Sequence, residues 1–289
     1  MNGQVPARLR SLLFAPASRP DVLAKLPRTG PDGVVLDLED AVPADAKADA
    51  RPNALAAGAE LATAHPAMAV YVRVNAVPTE WFAADVAEGV APEVSGIIVP
   101  KLESLAQVDV VVATLERAGL GHLHLLAGIE TAQGVESAAE LFRAPSVQVG
   151  YFGAEDFVAD MGGVRTYDNH EVLYARSRVA MAARLGGVLA LDQVVTALDD
   201  QERFLHDAAQ GRSLGFAGKL CIHPAQVALA HRAFSPTEEE IDRARRLLAA
   251  YDEATARGEA AIAFEGQMVD EPLARHARAV LATAEAGLS

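Results

Sequence analysis

The sequence predicts an α/β fold: a closed (β/α)8 TIM barrel followed by a C-terminal helical extension. Three observations lead there. Short apolar runs rich in β-formers recur along the chain, each followed by a stretch of helical period, and parallel strands need such covering helices. Eight of these units are complete by Ile222, the count of a closed barrel. The first strand–helix turn, Ala15–Pro20, contains no glycine, whereas an open doubly wound sheet places a glycine-rich turn there.

The strands are read in order. Ser11–Ala15 (SLLFA) is the first and Gly33–Leu38 (GVVLDL) the second. Ala69–Val74 (AVYVRV), Gly96–Val99 (GIIV) and Leu123–Ile129 (LHLLAGI) follow. Val147–Phe152 (VQVGYF), Val188–Leu191 (VLAL) and Lys219–Ile222 (KLCI) complete the set. Ala-, Leu- and Glu-rich segments between them, such as Leu102–Ala118 and Val172–Leu185, carry the helical period. After Pro236 the pattern changes. Thr237–Ala256 reads as a charged amphipathic helix, with Thr237 or Ser235 as its N-cap and acidic residues in its first turn. A glycine-bearing turn, Phe264–Asp270, precedes a last helix from Pro272. The expected division is a barrel domain over residues 1–235 and an extension over 236–289, able to cap the barrel mouth or reach a neighbouring subunit.

Composition narrows the function classes. Hydrophobic residues make up 51% and charged residues 22%, a well-packed globular balance. Lys plus Arg number 25 against 39 Asp plus Glu, so the formal charge is −14, which disfavours nucleic-acid binding. The single cysteine, Cys221, has no internal disulfide partner and reads as a buried strand residue, in keeping with a cytoplasmic protein. Met1–Arg10 lacks the apolar segment of a signal peptide, and no run approaches the roughly 20 apolar residues of a membrane helix, so a soluble protein is expected.

In a (β/α)8 barrel the chemistry sits on the loops after the strands. Those positions hold Ser18 and Arg19, then Asp37, Glu39 and Asp40, then Arg73 and Asn75, then Pro100 and Lys101. Glu130 and Thr131 follow strand 5; Gly153, Glu155 and Asp156 follow strand 6; Asp192 and His223 follow strands 7 and 8. Converging carboxylates repel one another unless a cation joins them. Oxygen donors favour a hard divalent ion, Mg2+ or Mn2+, and the absence of a Cys/His cluster argues against zinc. Taken singly, Glu39, Asp40 and Asp156 read equally well as helix caps, Asp192 as a turn residue and His223 as a strand-end residue. Arg73 inside a β-run is the least easily explained by structure, because a charge there needs a carboxylate or a ligand.

Arg10–Pro20, Val34–Ala41 with Lys47 and Arg51, Val72–Asn75, Val99–Lys101, Ile129–Gly134, Phe152–Phe157, Tyr174–Arg178, Gly215–Gln226 and Phe264–Pro272 together resemble the citrate lyase β-subunit and malyl-CoA/citramalyl-CoA lyase family of the HpcH/HpaI aldolase superfamily. The resemblance implies a C–C lyase that binds Mg2+, with Mn2+ as substitute, through Glu130 and Asp156. It implies that Arg73 touches the 2-oxo acid portion of the substrate and that Asp270 acts as acid/base from a neighbouring subunit of a homotrimer or hexamer. Gly153, Ala154 and Glu155 are expected along the substrate carboxylate. Arg19 and Lys101 are expected on the thioester's phosphates or the oxo acid. Asp37, Glu39 and Asp40 are expected behind them, fixing Arg73 or metal-bound water. The substrate would be an acyl-CoA or acyl-carrier thioester such as a citryl, malyl or citramalyl group, and citrate lyase partner subunits would accompany a true β-subunit. A malate synthase-like or thioesterase reaction on the same site, and a non-catalytic barrel, are the competing readings.

Overall fold

The structure is a computed structural model, and it describes residues 8–285. Eight parallel strands close into a barrel in sequence order. They are β1 (Ser11–Pro16), β2 (Gly33–Asp37), β3 (Ala69–Arg73), β4 (Gly96–Val99), β5 (His124–Ile129), β6 (Val147–Phe152), β7 (Leu189–Asp192) and β8 (Gly218–Cys221). Leu12 lies opposite Gly33 at one seam of β1, and Ser11 lies opposite Lys219 where β8 closes the ring. The expected strands are all present, with no end shifted by more than one residue.

The covering helices are α1 (Pro20–Leu23), α2 (Lys47–Ala64), α3 (Phe82–Gly89), α4 (Leu105–Arg117) and α5 (Ala132–Leu141). They continue with α6 (Ala154–Met161), α7 (Leu173–Gly186), α8 (Gln201–Leu214) and α9 (Ala225–Phe234). The unit between β6 and β7 holds two helices, so α6 is a short extra helix at the rim and α7 is the true crossover. Thr131 caps α5 by accepting from Gly134 N–H, which fixes how the chain leaves β5 just after Glu130.

Side chains alternate across a strand, so every second residue faces the barrel axis. Leu12, Val35, Tyr71, Ile98, Leu126 and Tyr151 belong to the buried cluster that fills it. The residues between them face the helices, and two of these are charged. Lys219 and Asp192 meet Arg176 from α7 and Asp207 from α8. Arg176 holds Asp192 with two hydrogen bonds of 3.0 and 2.6 Å, and Lys219 reaches Asp192 at 3.2 Å and also binds Asp207. Two buried cations thus balance two buried carboxylates, the condition under which buried charge is tolerated. Burial pushes the Asp207 carboxyl up, but Lys219 and Arg176 outweigh it and hold it below the ordinary range. Asp192 therefore turns away from the rim on which the sequence reading placed it. It is the last residue of β7, next to inward-facing Leu191, and so points at the helix layer.

Cys221 ends β8 and is buried, and burial pushes its thiol up to about 12 despite the nearby Lys219 charge. His223 accepts from Ala225 N–H at the start of α9, a strand-end role.

The chain forms two compact units, one through Arg232 and one from Ala233. In the second, α10 (Glu238–Ala256) opens with a capping box: Thr237 accepts from Glu240 N–H while the Glu240 side chain accepts from Thr237 N–H. A hairpin, β9 (Ile262–Phe264) and β10 (Gln267–Val269), stands where the sequence reading saw only a turn. Its two central residues, Glu265 and Gly266, both have positive φ (48° and 78°), the tight turn that matches strand twist. The last helix, α11 (Glu271–Glu285), packs with α10 around Leu247, Tyr251 and Val269. Among the described residues no helix is long and apolar enough to cross a membrane.

Candidate active site

Because the strands are parallel, their C-terminal ends share one rim. Asp37 ends β2 directly opposite Arg73, which ends β3. Asp37 accepts from Arg73 Nε at 2.7 Å and Nη2 at 2.6 Å, and also from the backbone N–H groups of Glu39 and Ala41. One carboxylate thus ties the guanidinium to the turn after β2. Glu39 Oε2 lies 2.9 Å from Arg73 Nη1. The Phe14 ring lies under the guanidinium, 5.1 Å from centroid to Cζ. Behind the turn, Lys47 donates to the carbonyls of Leu38 and Glu39, and Arg51 pairs with buried Asp85.

Lys101 follows β4 with φ 54°, a left-handed conformation that costs a non-glycine residue about 1–2 kcal/mol. The backbone twist delivers its ammonium into the rim. It lies 2.7 Å from Glu39 Oε1, 3.2 Å from Asp156 Oδ1 and 3.8 Å from Glu130 Oε2. Glu130, just beyond β5, is 1% exposed, and its Oε1 accepts from the Tyr151 hydroxyl. Glu130 Oε2 is shielded from solvent yet accepts no hydrogen bond.

Asp37, Glu39, Glu130 and Asp156 bring four negative charges to this cluster, and Arg73 and Lys101 bring two positive ones. With all four carboxylates ionised the difference is two, the charge of one divalent cation. The imbalance shows in the acidities. Burial, and then the Glu39 charge, push the Glu130 carboxyl up to about 8, although Arg73, Tyr151 and Lys101 pull the other way. Burial likewise raises Glu39 against the pull of Arg73 and Lys101. Burial works against the Lys101 ammonium, but the Glu39 hydrogen bond and the charges of Glu130 and Asp156 outweigh it and raise its pKa.

Among the described residues no three His, Cys, Asp or Glu side chains form a ready-made ion cage. Two hard oxygen donors, one with an unbonded buried oxygen, suit an ion that completes its shell with water and substrate. Glu130 and Asp156 are the residues that would hold it.

The other expected residues fall as follows. Ala154 and Glu155 start α6, and Glu155 bonds Arg165 at 3.0 Å. The N–H of Gly153 donates to Ile129 O, so it is not free for a substrate carboxylate. Gly153 serves through its missing side chain: a Cβ there would stand 2.6 Å from Glu130 Cγ. Gly153→Ala is expected to displace Glu130 at an overpacking cost of about 1–3 kcal/mol and to weaken divalent-ion binding. Calorimetric titration of the variant with Mg2+ checks this, and unchanged affinity would refute it. Arg19 is exposed and paired with Asp21, apart from the cluster's hydrogen bonds. Asp40 is exposed and reaches the cluster only as a charge near Glu39; the contacts to Arg73 come from Asp37 and Glu39 instead. Asp270 lies in the second unit just before α11, with Oδ1 buried and without a hydrogen bond. Sequence reasoning missed Tyr151. The available signal was its inward position on β6, since a buried tyrosine hydroxyl needs a partner.

The filled barrel and the charged rim define an α/β-barrel protein whose charged groups gather at the C-terminal ends of its strands, the rim where barrel enzymes carry their chemistry. Residues 10–224 match the HpcH/HpaI aldolase/citrate lyase family, and the chain belongs to that family. It is 56% identical over 278 residues to a citrate lyase subunit beta-like protein of Deinococcus radiodurans, covering 96% of this chain and 97% of that one. It is 34% identical over 277 residues to a (3S)-malyl-CoA thioesterase of Cereibacter sphaeroides, covering 96% and 95%. Among solved structures, CitE of Mycobacterium tuberculosis in complex with magnesium, acetoacetate and coenzyme A matches with a TM-score of 0.81 and 34% identity, covering 97% of this chain and 100% of that chain. A citrate lyase beta subunit from M. tuberculosis complexed with oxaloacetate and magnesium matches with a TM-score of 0.68 and 31% identity, covering 80% and 99%.

Proposed function

We propose that this protein is a Mg2+-dependent carbon–carbon lyase. It cleaves a 3-hydroxyacyl thioester of the citryl, malyl or citramalyl type into an acetyl-type thioester and a 2-oxo acid. The observation that carries this reading is the rim cluster around buried Glu130, in which carboxylates outnumber cations and Glu130 Oε2 accepts no hydrogen bond. The magnesium bound by the CitE relatives has the charge that the cluster lacks.

In this reading Glu130 and Asp156 hold Mg2+, which supplies Lewis acidity at the substrate's oxygens. Cleavage removes the proton of the 3-hydroxyl, breaks the C2–C3 bond, and leaves its electron pair on the thioester as an enolate that must take up a proton. Arg73 has five N–H donors, and Asp37 and Glu39 engage no more than three of them. The remaining donors face the oxygen that becomes the carbonyl of the 2-oxo acid. Asp37 and Glu39 keep the guanidinium oriented for that contact. Ala154 and Glu155 offer unpaired N–H groups of the first turn of α6 to a substrate carboxylate. Asp270 of a neighbouring copy in a trimer or hexamer acts as acid/base, taking the 3-hydroxyl proton and returning a proton to the enolate, and Arg19 meets the anionic end of the thioester carrier.

The thioesterase relative supports a second reading, hydrolysis of the same thioesters on the same site. A steady-state panel of citryl-, malyl- and citramalyl-CoA with Mg2+ separates the two. Release of a 2-oxo acid with an acetyl-type thioester supports the lyase. Release of free hydroxy acid with free thiol supports hydrolysis. Turnover of none of them would overturn both.

A further inference from the structure

The chain between α6 and α7 is pinned at three points. Arg165 donates through Nε to Glu155 Oε1 at 3.0 Å and through Nη1 to Glu171. The Tyr167 ring stacks on His206 of α8, with centroids 5.5 Å apart. Asn169 is 3% exposed and sits at φ 58°, a left-handed conformation that asparagine tolerates. Its amide donates to Asp207 Oδ2 at 2.9 Å and Gln210 Oε1 at 2.7 Å and accepts from Gln193 Nε2 at 3.0 Å. Asp207 is part of the buried ion cluster with Arg176, Lys219 and Asp192. The Arg165 guanidinium also lies 3.4 Å from Asn169 Oδ1. A continuous polar path therefore runs from the ion cluster outside β7 and β8, through Asn169 and Arg165, to Glu155, the neighbour of Asp156.

We propose that Arg165 and Asn169 are positioning residues: they strap the first turn of α6 to the buried ion cluster and so hold Asp156 in place for the metal. This rests on the metal reading given above. The need for such a strap is physical. The cap residue of α6, Gly153, supplies no side-chain cap, and the helix has only eight residues, too short to be stable by itself. Asp156 pairs with Lys101 at 3.2 Å, and its neighbour Glu155 is gripped by Arg165 at 3.0 Å. The strap also gives a role to Arg176 of the Tyr174–Arg178 segment: it anchors the far end of the path.

Two variants cut the path at different places. Arg165→Ala releases Glu155, together with Glu171 and the contact to Asn169, and leaves the bonds among Arg176, Lys219, Asp192 and Asp207 in place. Asn169→Gly removes the anchor while suiting the left-handed backbone. Hydrogen exchange, measured without added metal, is expected to quicken at least 10-fold at the α6 amides from Phe157 onward in both variants. Mg2+ affinity by calorimetry, or kcat, is expected to fall about 10- to 100-fold, with KM for the thioester changed less. Arg165→Lys, which keeps one charged bond to Glu155, should recover part of the loss. Exchange at α6 within twofold of wild type in both variants would overturn the proposal, as would faster exchange with Mg2+ affinity and kcat unchanged. Failure of the wild-type protein to bind Mg2+ would instead sink the metal reading, and the exchange result would still judge the strap.

Discussion

Replacing Glu130 with glutamine is expected to lower Mg2+-dependent turnover by about 1,000-fold or more while leaving the barrel folded. Metal-assisted chemistry is worth several kcal/mol of charge stabilisation, and about 4 kcal/mol corresponds to that factor. In the proposed site, one of the two carboxylate donors would be gone and the ion would keep a single protein carboxylate. The fold should survive for reasons visible in the cluster. Glutamine keeps a carbonyl oxygen to accept from the Tyr151 hydroxyl, the partner of Glu130 Oε1. It also removes one of the cluster's four carboxylates, which outnumber the two cations Arg73 and Lys101. Asp156→Ala should lose turnover to a similar degree. Initial rates at saturating Mg2+, with thermal unfolding of the same samples, decide the matter. Turnover within tenfold of wild type in either variant would remove the metal assignment.

Arg73→Met is expected to damage both stability and turnover. Asp37 is buried, and the Arg73 guanidinium supplies both of its charged hydrogen bonds. Removing one member of a buried pair strands the other and costs about 3–5 kcal/mol. Arg73→Lys should not rescue it, because one ammonium cannot hold Asp37 through two bonds and face Glu39 at once. The double variant Arg73→Met with Asp37→Asn should recover much of the stability and none of the turnover. Urea unfolding of the three variants tests this. A loss below about 1 kcal/mol for Arg73→Met would show that the pair does not bind the rim together.

Most of the barrel was legible because each strand is a short apolar run followed by a helical period, and that pattern is local. The rim carboxylates were legible for the same reason, since position after a strand is read along the chain. What escaped depends on partners far apart in sequence. Lys219 reads as an ordinary strand residue until Asp192 and Asp207 stand beside it. Asp192 reads as a rim or turn residue, and only its register as the last residue of β7 sends it to the helix layer. Tyr151 passes for a β-former until Glu130 is seen above it. The left-handed turn of Lys101 leaves no trace in a Pro-Lys pair. The tail hairpin was missed because three-residue strands are too short to show an alternation.

The filled barrel axis has a kinetic consequence. With Tyr71, Tyr151 and their neighbours packed through its middle, the barrel is filled beneath its rim among the described residues. Whatever reaches Glu130 must depart by the route it took. In the proposed cleavage, the fragment held against buried Glu130 is expected to leave last, because the other fragment would lie across its exit. The depth of the two ends would then set the order of departure, as it does for passengers in a vehicle with one door.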